Sequence, residues 1–516
     1  MRLHSFATVL SFSSLSVGLA SAANLGRSPV LPKRKASILI DPAAQPDLPT
    51  IGEAKAAASA VNLNLTDVQA DILLGMKKDK ELFFFFSIAD AKVFKAKLKT
   101  VVLPLVTSTD QILNRTTEPD TMLNIAFSQT GLTALNITDD LGDAPFAGGQ
   151  LKDIGNLNDP GTTNWVPQFV GTSIHGVILL ASGSVDNVNT ELATLKTKLG
   201  SSIKEVYSLE AAARPGNQQG HEHFGYLDGI SNPSVEGFQP TPFPGQAVVP
   251  TGEILVGESG DKVQRPAWAK DGSFLVFRQL EQLVPEFNKF LTDNPIRAPG
   301  LTAQQGSDLL GARMIGRWKS GAPVFLSPLH DDPVLGGDNQ RNNNFTYVEP
   351  GQTHTNLTDL ASESKCPFSA HIRKTRPRAD LGLPEGSSND GSIQGSSNHH
   401  IVRGGIPYGP EVSSDEATSN KTKTERGLAF VAYQSNIVNG FQFLQRRWAN
   451  NAGFVTGNTG FDPIIGANKG LPRNVSALDL TNPSRTITLT TDFVVSRGGE
   501  YFFSPSLSAL SKTFSA

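Results

Sequence analysis

The run Leu82-Phe83-Phe84-Phe85-Phe86-Ser87-Ile88 constrains the fold of this chain more than any other stretch. It has the length of a strand, and its unbroken apolar character predicts a strand buried inside the molecule. A helical stretch follows around Ala89 to Lys99, and Met122 to Phe127 reads as a second strand. His175 to Ala181 then reads as strand, Val185 to Leu199 as helix and Ile203 to Leu209 as strand. The later half repeats the order. Ser273 to Leu280 is strand-like, helical stretches cover Pro285 to Phe290 and Thr302 to Ile315, and Gly427 to Gln434 is a strand. An amphipathic segment from Val438 to Asn450 and a strand from Phe493 to Phe503 complete it. Two rounds of strand-helix-strand, strand-helix-strand give an α+β chain of two ferredoxin-like (βαββαβ) domains with antiparallel sheets. A parallel doubly wound sheet is the competing arrangement, but no glycine-rich phosphate loop follows any strand.

Two long irregular regions interrupt these elements, and long connections in compact proteins are usually functional. Residues 214–265, rich in Gly and Pro, hold His223-Phe224-Gly225-Tyr226-Leu227-Asp228-Gly229-Ile230-Ser231-Asn232-Pro233. There one carboxylate is fixed between two glycines. Alone, that segment is an ordinary turn. Residues 326–402 hold Cys366-Pro367-Phe368-Ser369-Ala370-His371-Ile372-Arg373-Lys374-Thr375-Arg376-Pro377-Arg378, and Ile401-Val402-Arg403-Gly404-Gly405 closes the region. Within it, 385–398 is a Gly/Ser/Asn tract expected to form a mobile surface loop. His221-Glu222-His223 lacks the helix-face spacing of a zinc motif.

The ends and the composition bound the setting. Residues 1–22 open with Arg2 and His4, run apolar from Phe6 to Leu19 and close on Ala20-Ser21-Ala22, which is the pattern of a secretory signal peptide. Residues 23–60, rich in Pro, Ala and Lys, read as a pro-peptide, with an ordered N-terminal arm as the alternative. Residues 61–250 are then the N-terminal domain with the Asp228 loop, and 251–516 the C-terminal domain. Asn-X-Ser/Thr acceptors at Asn64, Asn114, Asn136, Asn344, Asn356, Asn420 and Asn474 suit an exported glycoprotein. Cys366 is the only cysteine, so stability must come from the core rather than from an internal disulfide. A net charge of −3 offers no cationic surface for nucleic acid or anionic lipid. No stretch of the chain reads as a membrane span.

The three segments around Asp228, His371 and Arg403, in that order, resemble those of the dye-decolorizing peroxidases of basidiomycetes, secreted haem enzymes, and the match covers essentially the whole mature region. The resemblance implies one haem b per chain, held mainly by the C-terminal half with His371 as proximal iron ligand. Asp462 is the candidate acceptor for the other ring nitrogen of His371; a loop-capping aspartate is the alternative. Asp228 is implied as distal acid-base group and Arg403 as electrostatic stabiliser. The cations that follow His371, Arg376 among them, suit haem propionates, and Leu428 and Phe430 match apolar positions that shape the pocket.

Trp448, near the surface end of the amphipathic segment, and Tyr408 match positions used in the family as radical relays. The partners implied are hydrogen peroxide and aromatic small molecules, dyes and phenolic or lignin-derived compounds, with the protein extracellular and a monomer or dimer. A secreted haem-binding or storage protein without turnover is the alternative function. Binding alone needs neither Asp228 nor Arg403.

Overall fold

The computed structural model describes residues 48–516 other than 77–78, 115, 172, 240, 349–359, 382–398, 456 and 458. The signal-peptide segment, most of the 23–60 segment, the 385–398 tract and Asn356 lie outside the described residues.

Four strands build the first half: β1 (Lys80–Ile88), β2 (Thr121–Phe127), β3 (Gly176–Ser182) and β4 (Ile203–Ala212). They lie antiparallel in the order β4-β1-β3-β2. The second half contributes β5 (Ser273–Gln282), β6 (Val402–Arg403), β7 (Ile406–Tyr408), β8 (Gly427–Gln434) and β9 (Val494–Ser504). Its order is β9-β5-β8, with β6 and β7 end to end along the far edge of β8. Each half is therefore ferredoxin-like, and the two arrays join where Phe503 of β9 pairs with Phe127 of β2, making one nine-stranded sheet.

The phenylalanine run explains how the sheet is buried. Phe83 and Phe85 point into one core cluster with Phe277 and Phe502, while Phe84 and Phe86 point into another with Phe274 and Phe503. Successive strand residues face opposite sides, so cover on both sides requires a continuous apolar run rather than alternation. On one side lies α1 (Val185–Leu199), which buries Val188, Leu192, Leu195 and Leu199, the stripe that a 3.6-residue period produces.

The second strand of the later half was not among the sequence expectations. It occurs as the short pieces β6 and β7, separated by Gly404-Gly405. A Cβ at Gly405 would sit 2.8 Å from the carbonyl of Ala429, so glycine permits the close passage of this edge against β8.

Residues 51–60 form a helix started by a capping box. Thr50 accepts from the Glu53 N–H, and the Glu53 carboxylate accepts from the Thr50 N–H. Leu48, Ala54 and Ala58 are buried in the core. Residues 48–60 thus pack against the folded body. Of the described acceptor asparagines, Asn64, Asn136, Asn344, Asn420 and Asn474 are exposed, and Asn114 is half-buried.

Candidate active site

The Asp228 loop is shaped by backbone geometry that glycine alone adopts easily. Gly225 and Gly229 have φ of 92° and 82°, in the left-handed region. The Glu222 carboxylate accepts from the N–H groups of Phe224 and Tyr226, both at 2.8 Å, and from Gln282, which holds the turn from inside. The Asp228 N–H donates to the Gly220 carbonyl at 3.2 Å. The Gly229 N–H donates to Asp228 Oδ1 at 2.6 Å, fixing the carboxylate itself.

Arg403, on β6, donates from Nη1 to the same Asp228 oxygen at 2.6 Å. Asn232 docks the two segments: its Nδ2 donates to the Arg403 carbonyl at 3.0 Å, and its Oδ1 accepts from the Arg403 N–H at 3.1 Å. Burial alone would raise the Asp228 carboxyl. The charge and hydrogen bond of Arg403, with the Gly229 N–H, outweigh it and hold Asp228 below the usual carboxylate range. The Asp228 side chain keeps 40 % of its exposure, and it lines cavities on both sides of the loop.

His371 opens a short helix, α3 (His371–Thr375), which packs against the end of α2 (Ala303–Ile315). Gly316 terminates α2 with φ of 95°, and a Cβ there would come within 2.4 Å of Ile372 Cγ1. His371 Nδ1 hydrogen-bonds Asp462 Oδ2 at 2.8 Å. The Asp462 carboxylate is fully buried and also accepts from the N–H groups of Ile464 and Ile465. Burial opposes its ionisation, but His371 and these donors prevail and hold Asp462 below the ordinary range.

Asp228, Arg403 and His371 open on one cavity of about 560 Å3, with Asp462 buried behind His371. Asp228 and Arg403 line it, as do His371, Arg376, Leu428 and Phe430, so six of the expected site residues meet there. The donor set fits the haem that the resemblance implies. His371 has Nδ1 committed to Asp462, so Nε2 is the nitrogen that would hold the haem iron. Arg376 and Arg378 supply cations, Leu428, Phe430, Ile464 and Ile465 supply apolar wall, and the volume suits a large planar ligand. Arg278 Nε, buried in this lining, has no protein partner among the described residues. A narrower cavity of about 110 Å3 also reaches Asp228 and Arg403.

The other cations after His371 serve the fold. Arg373 makes a two-pronged pair with buried Asp380 at 2.6 and 2.8 Å and lies over the rings of Phe368 and Tyr347. Lys374 donates to the carbonyls of Asn451 and Trp448. Neither lines the cavity.

Trp448 differs from expectation in being buried, at 5 % exposure. The loop after its helix folds back, so that Phe454 stacks on the indole at 5.1 Å, while His399 and Phe443 meet it edge-on. Tyr408 is equally buried and hydrogen-bonds Glu425. Neither aromatic lines the cavity. Sequence reasoning missed Asn232 and Glu222. Both stand within or beside the Asp228 motif, but their partners, Arg403 and Gln282, are distant in sequence.

Comparison with known proteins agrees with this geometry. Residues 67–215 match the family described as DyP dimeric alpha+beta barrel domain, and 221–456 match Dyp-type peroxidase, C-terminal. The chain is 56 % identical over 509 residues to dye-decolorizing peroxidase msp1 of Mycetinis scorodonius, covering 95 % of this chain and 96 % of that one. It is 53 % identical to a dye-decolorizing peroxidase of Auricularia auricula-judae, covering 94 % and 92 %. A crystal structure of the decolorizing peroxidase from that organism superposes with a TM-score of 0.82 at 53 % identity, covering 88 % of this chain and all of the other. Another similar structure, TM-score 0.83 and 53 % identical over 88 % of this chain and 100 % of its own, is described as an engineered heme pocket of a dye-decolorizing peroxidase. With two domains that match along the chain and relatives more than half identical over nearly its whole length, this chain belongs to the dye-decolorizing peroxidases, haem enzymes that use hydrogen peroxide to oxidise aromatic compounds.

Proposed function

We propose that His371 binds one haem b per chain through Nε2, that Asp228 is the acid-base group for hydrogen peroxide and that Arg403 stabilises the charge developing beside it. The observation that carries this is the meeting of the Asp228–Arg403 pair and His371, itself held by Asp462, on a single cavity. Bound haem supplies the redox centre, taking two electrons' worth of oxidation from peroxide and passing it to aromatic donors one electron at a time.

The side chains supply the rest. Asp228, kept ionised by Arg403, takes the proton from one peroxide oxygen and returns it to the other, which departs as water. Arg403, a fixed cation on the same oxygen of Asp228, lies where negative charge builds as the O–O bond breaks. Asp462 orients His371 and strengthens it as a donor. Arg376 pairs with a propionate, and Leu428 and Phe430 form apolar wall. Trp448 and Tyr408 relay electrons from substrates too large to enter, dyes and phenolic or lignin-derived compounds among them.

The protein works outside the cell after loss of the 1–22 signal peptide, with several of the exposed asparagines glycosylated. The two domains divide near 250. The burial of Leu48, Ala54 and Ala58 argues that processing of the pro-segment stops short of Leu48. Sequencing the secreted form checks this, and a start at residue 61 overturns it.

Substitution tests the catalytic assignment. Asp228→Asn is expected to keep the haem absorption band while its reaction with peroxide slows by about 100-fold or more; His371→Ala is expected to lose the band. Peroxide reacting with Asp228→Asn at the wild-type rate removes Asp228 from the mechanism.

A further inference from the structure

The phenol of Tyr408 has a built-in destination for its proton. The ring is 5 % exposed, and its hydroxyl donates to Glu425 Oε1 at 2.8 Å. Gln279 Nε2 donates to the same carboxylate oxygen at 2.8 Å, and Tyr207 donates to Gln279 Oε1 at 3.0 Å. Two phenols are thereby joined to one carboxylate. Burial, then the charge of Glu425, pushes the Tyr408 hydroxyl well above the ordinary phenol range, so the group is protonated at any working pH. A phenol that loses an electron becomes a strong acid. Around a buried ring, the charge left behind is costly unless a neighbour takes the proton as the electron departs.

We propose that Glu425 is the proton acceptor for one-electron oxidation of Tyr408, an assignment resting on Tyr408 being the oxidisable relay named above. The O–H bond of Tyr408 breaks and an O–H bond forms at Glu425 Oε1. One electron passes from the phenol to the peroxide-oxidised haem that the family's activity supplies. When an aromatic donor returns an electron to Tyr408, the proton returns from Glu425, and both groups regain their starting state.

Two features suit the pair to this exchange. Arg497 Nη2 holds the other oxygen, Glu425 Oε2, at 3.1 Å, so Oε1 stays directed at the phenol. Arg497 Nε also reaches Glu281 Oε2 at 3.8 Å, so a proton arriving on Glu425 does not strand the guanidinium without a counter-charge. The second feature is position. Tyr408 pairs with Gly427 in the β7–β8 ladder, and the neighbouring pair is Pro407 with Leu428, whose side chain lines the haem cavity. The backbone of Tyr408 thus stands one ladder step from that of a cavity-lining residue, with the ring on the opposite face of the sheet, while Glu425 keeps 33 % exposure at the outer end.

Electron paramagnetic resonance of holoenzyme frozen shortly after mixing with hydrogen peroxide tests the assignment. Wild type is expected to give a tyrosyl signal that Tyr408→Phe lacks, with the high-field g-value of a hydrogen-bonded radical. In Glu425→Gln that signal is expected to form about 100-fold more slowly. A Tyr408-dependent signal forming at the wild-type rate in Glu425→Gln overturns the role of Glu425 and leaves the relay intact. A wild-type radical without the hydrogen-bonded g-value does the same, and needs no variant to fold. Absence from wild type of any signal that Tyr408→Phe removes overturns the relay itself, and the role of Glu425 with it.

Discussion

Asp228 is surrounded by influences that disagree, and the balance among them decides what it can do. Burial favours the neutral acid, while Arg403 at 2.6 Å and the Gly229 N–H favour the anion, and the anion prevails. A proton acceptor of this kind stops working when pH falls below its own pKa. Because that pKa is depressed, the acid limb of the peroxide reaction lies below the ordinary carboxylate range. Arg403→Leu removes the largest influence favouring the anion and leaves burial in charge, so the pKa of Asp228 rises and the acid limb moves to higher pH. Loss of the cation also lowers the maximal rate by about 100-fold. Rapid-mixing rates across the acid range measure both effects, and a limb that stays in place excludes Arg403 as the group that sets Asp228. The same contest of neighbours separates the cations after His371. All of them look alike in sequence, yet Arg373 is claimed by Asp380 and Lys374 by backbone carbonyls, while Arg376 lines the cavity.

The junction of α2 and α3 shows how a secondary element sets His371, the proposed iron ligand. Gly316 is left-handed, and its missing side chain lets Ile372, next to His371, pack into the turn. Gly316→Ala adds a left-handed penalty of about 1–2 kcal/mol and an overlap with Ile372 that α3 must move to relieve. The expected results are a lower melting temperature and faster haem loss to a competing acceptor. A lower melting temperature with unchanged haem loss would show that α2 does not position His371. Elements with strong internal periodicity were legible from sequence. The helix at Val185–Leu199 and the strand at Gly427–Gln434 have the bounds that their patterns predict. The edge strand at 402–408 was not, since β6 and β7 are too short for alternation to register and two glycines part them. In the site, Asp228, His371 and Arg403 were legible through their motifs. Asn232 was not, because a side chain that bonds a backbone distant in sequence leaves only a turn residue before Pro233 in the local pattern. The burial of Trp448 was hidden for a similar reason, as its cover comes from a loop that folds back over it.

Across the molecule, buried carboxyls give stability a pH dependence. Glu500 is pushed up to about 7 by burial, against the N–H groups of Gln150 and Tyr501. Asp271 is raised to about 7 by burial and by a hydrogen bond with Glu258, against Lys270. The folded state binds these protons more tightly than the unfolded chain does. Their contribution is therefore complete below pH about 4, the range of unperturbed carboxyls, and is lost as pH rises through about 7. Glu411 and Glu205, lowered by hydrogen bonds from Arg214 and Lys196, act in the opposite direction, with stability lost as pH falls below the ordinary range. Those two are substantially exposed, so solvent screens their share. Burial lowers His223 to about 4 and Lys374 to about 7, and both add stability as pH rises, against the buried acids. The melting temperature of the holoenzyme at pH 5 less that at pH 8 reads the balance of these groups. Glu500→Gln keeps the shape and hydrogen-bonding capacity of a neutral Glu500 but cannot ionise, so it is expected to lower that difference by raising the melting temperature at pH 8 more than at pH 5. Melting curves of the two proteins at both pH values decide it, and an unchanged difference in Glu500→Gln would mean that Glu500 does not shape the pH dependence of folding.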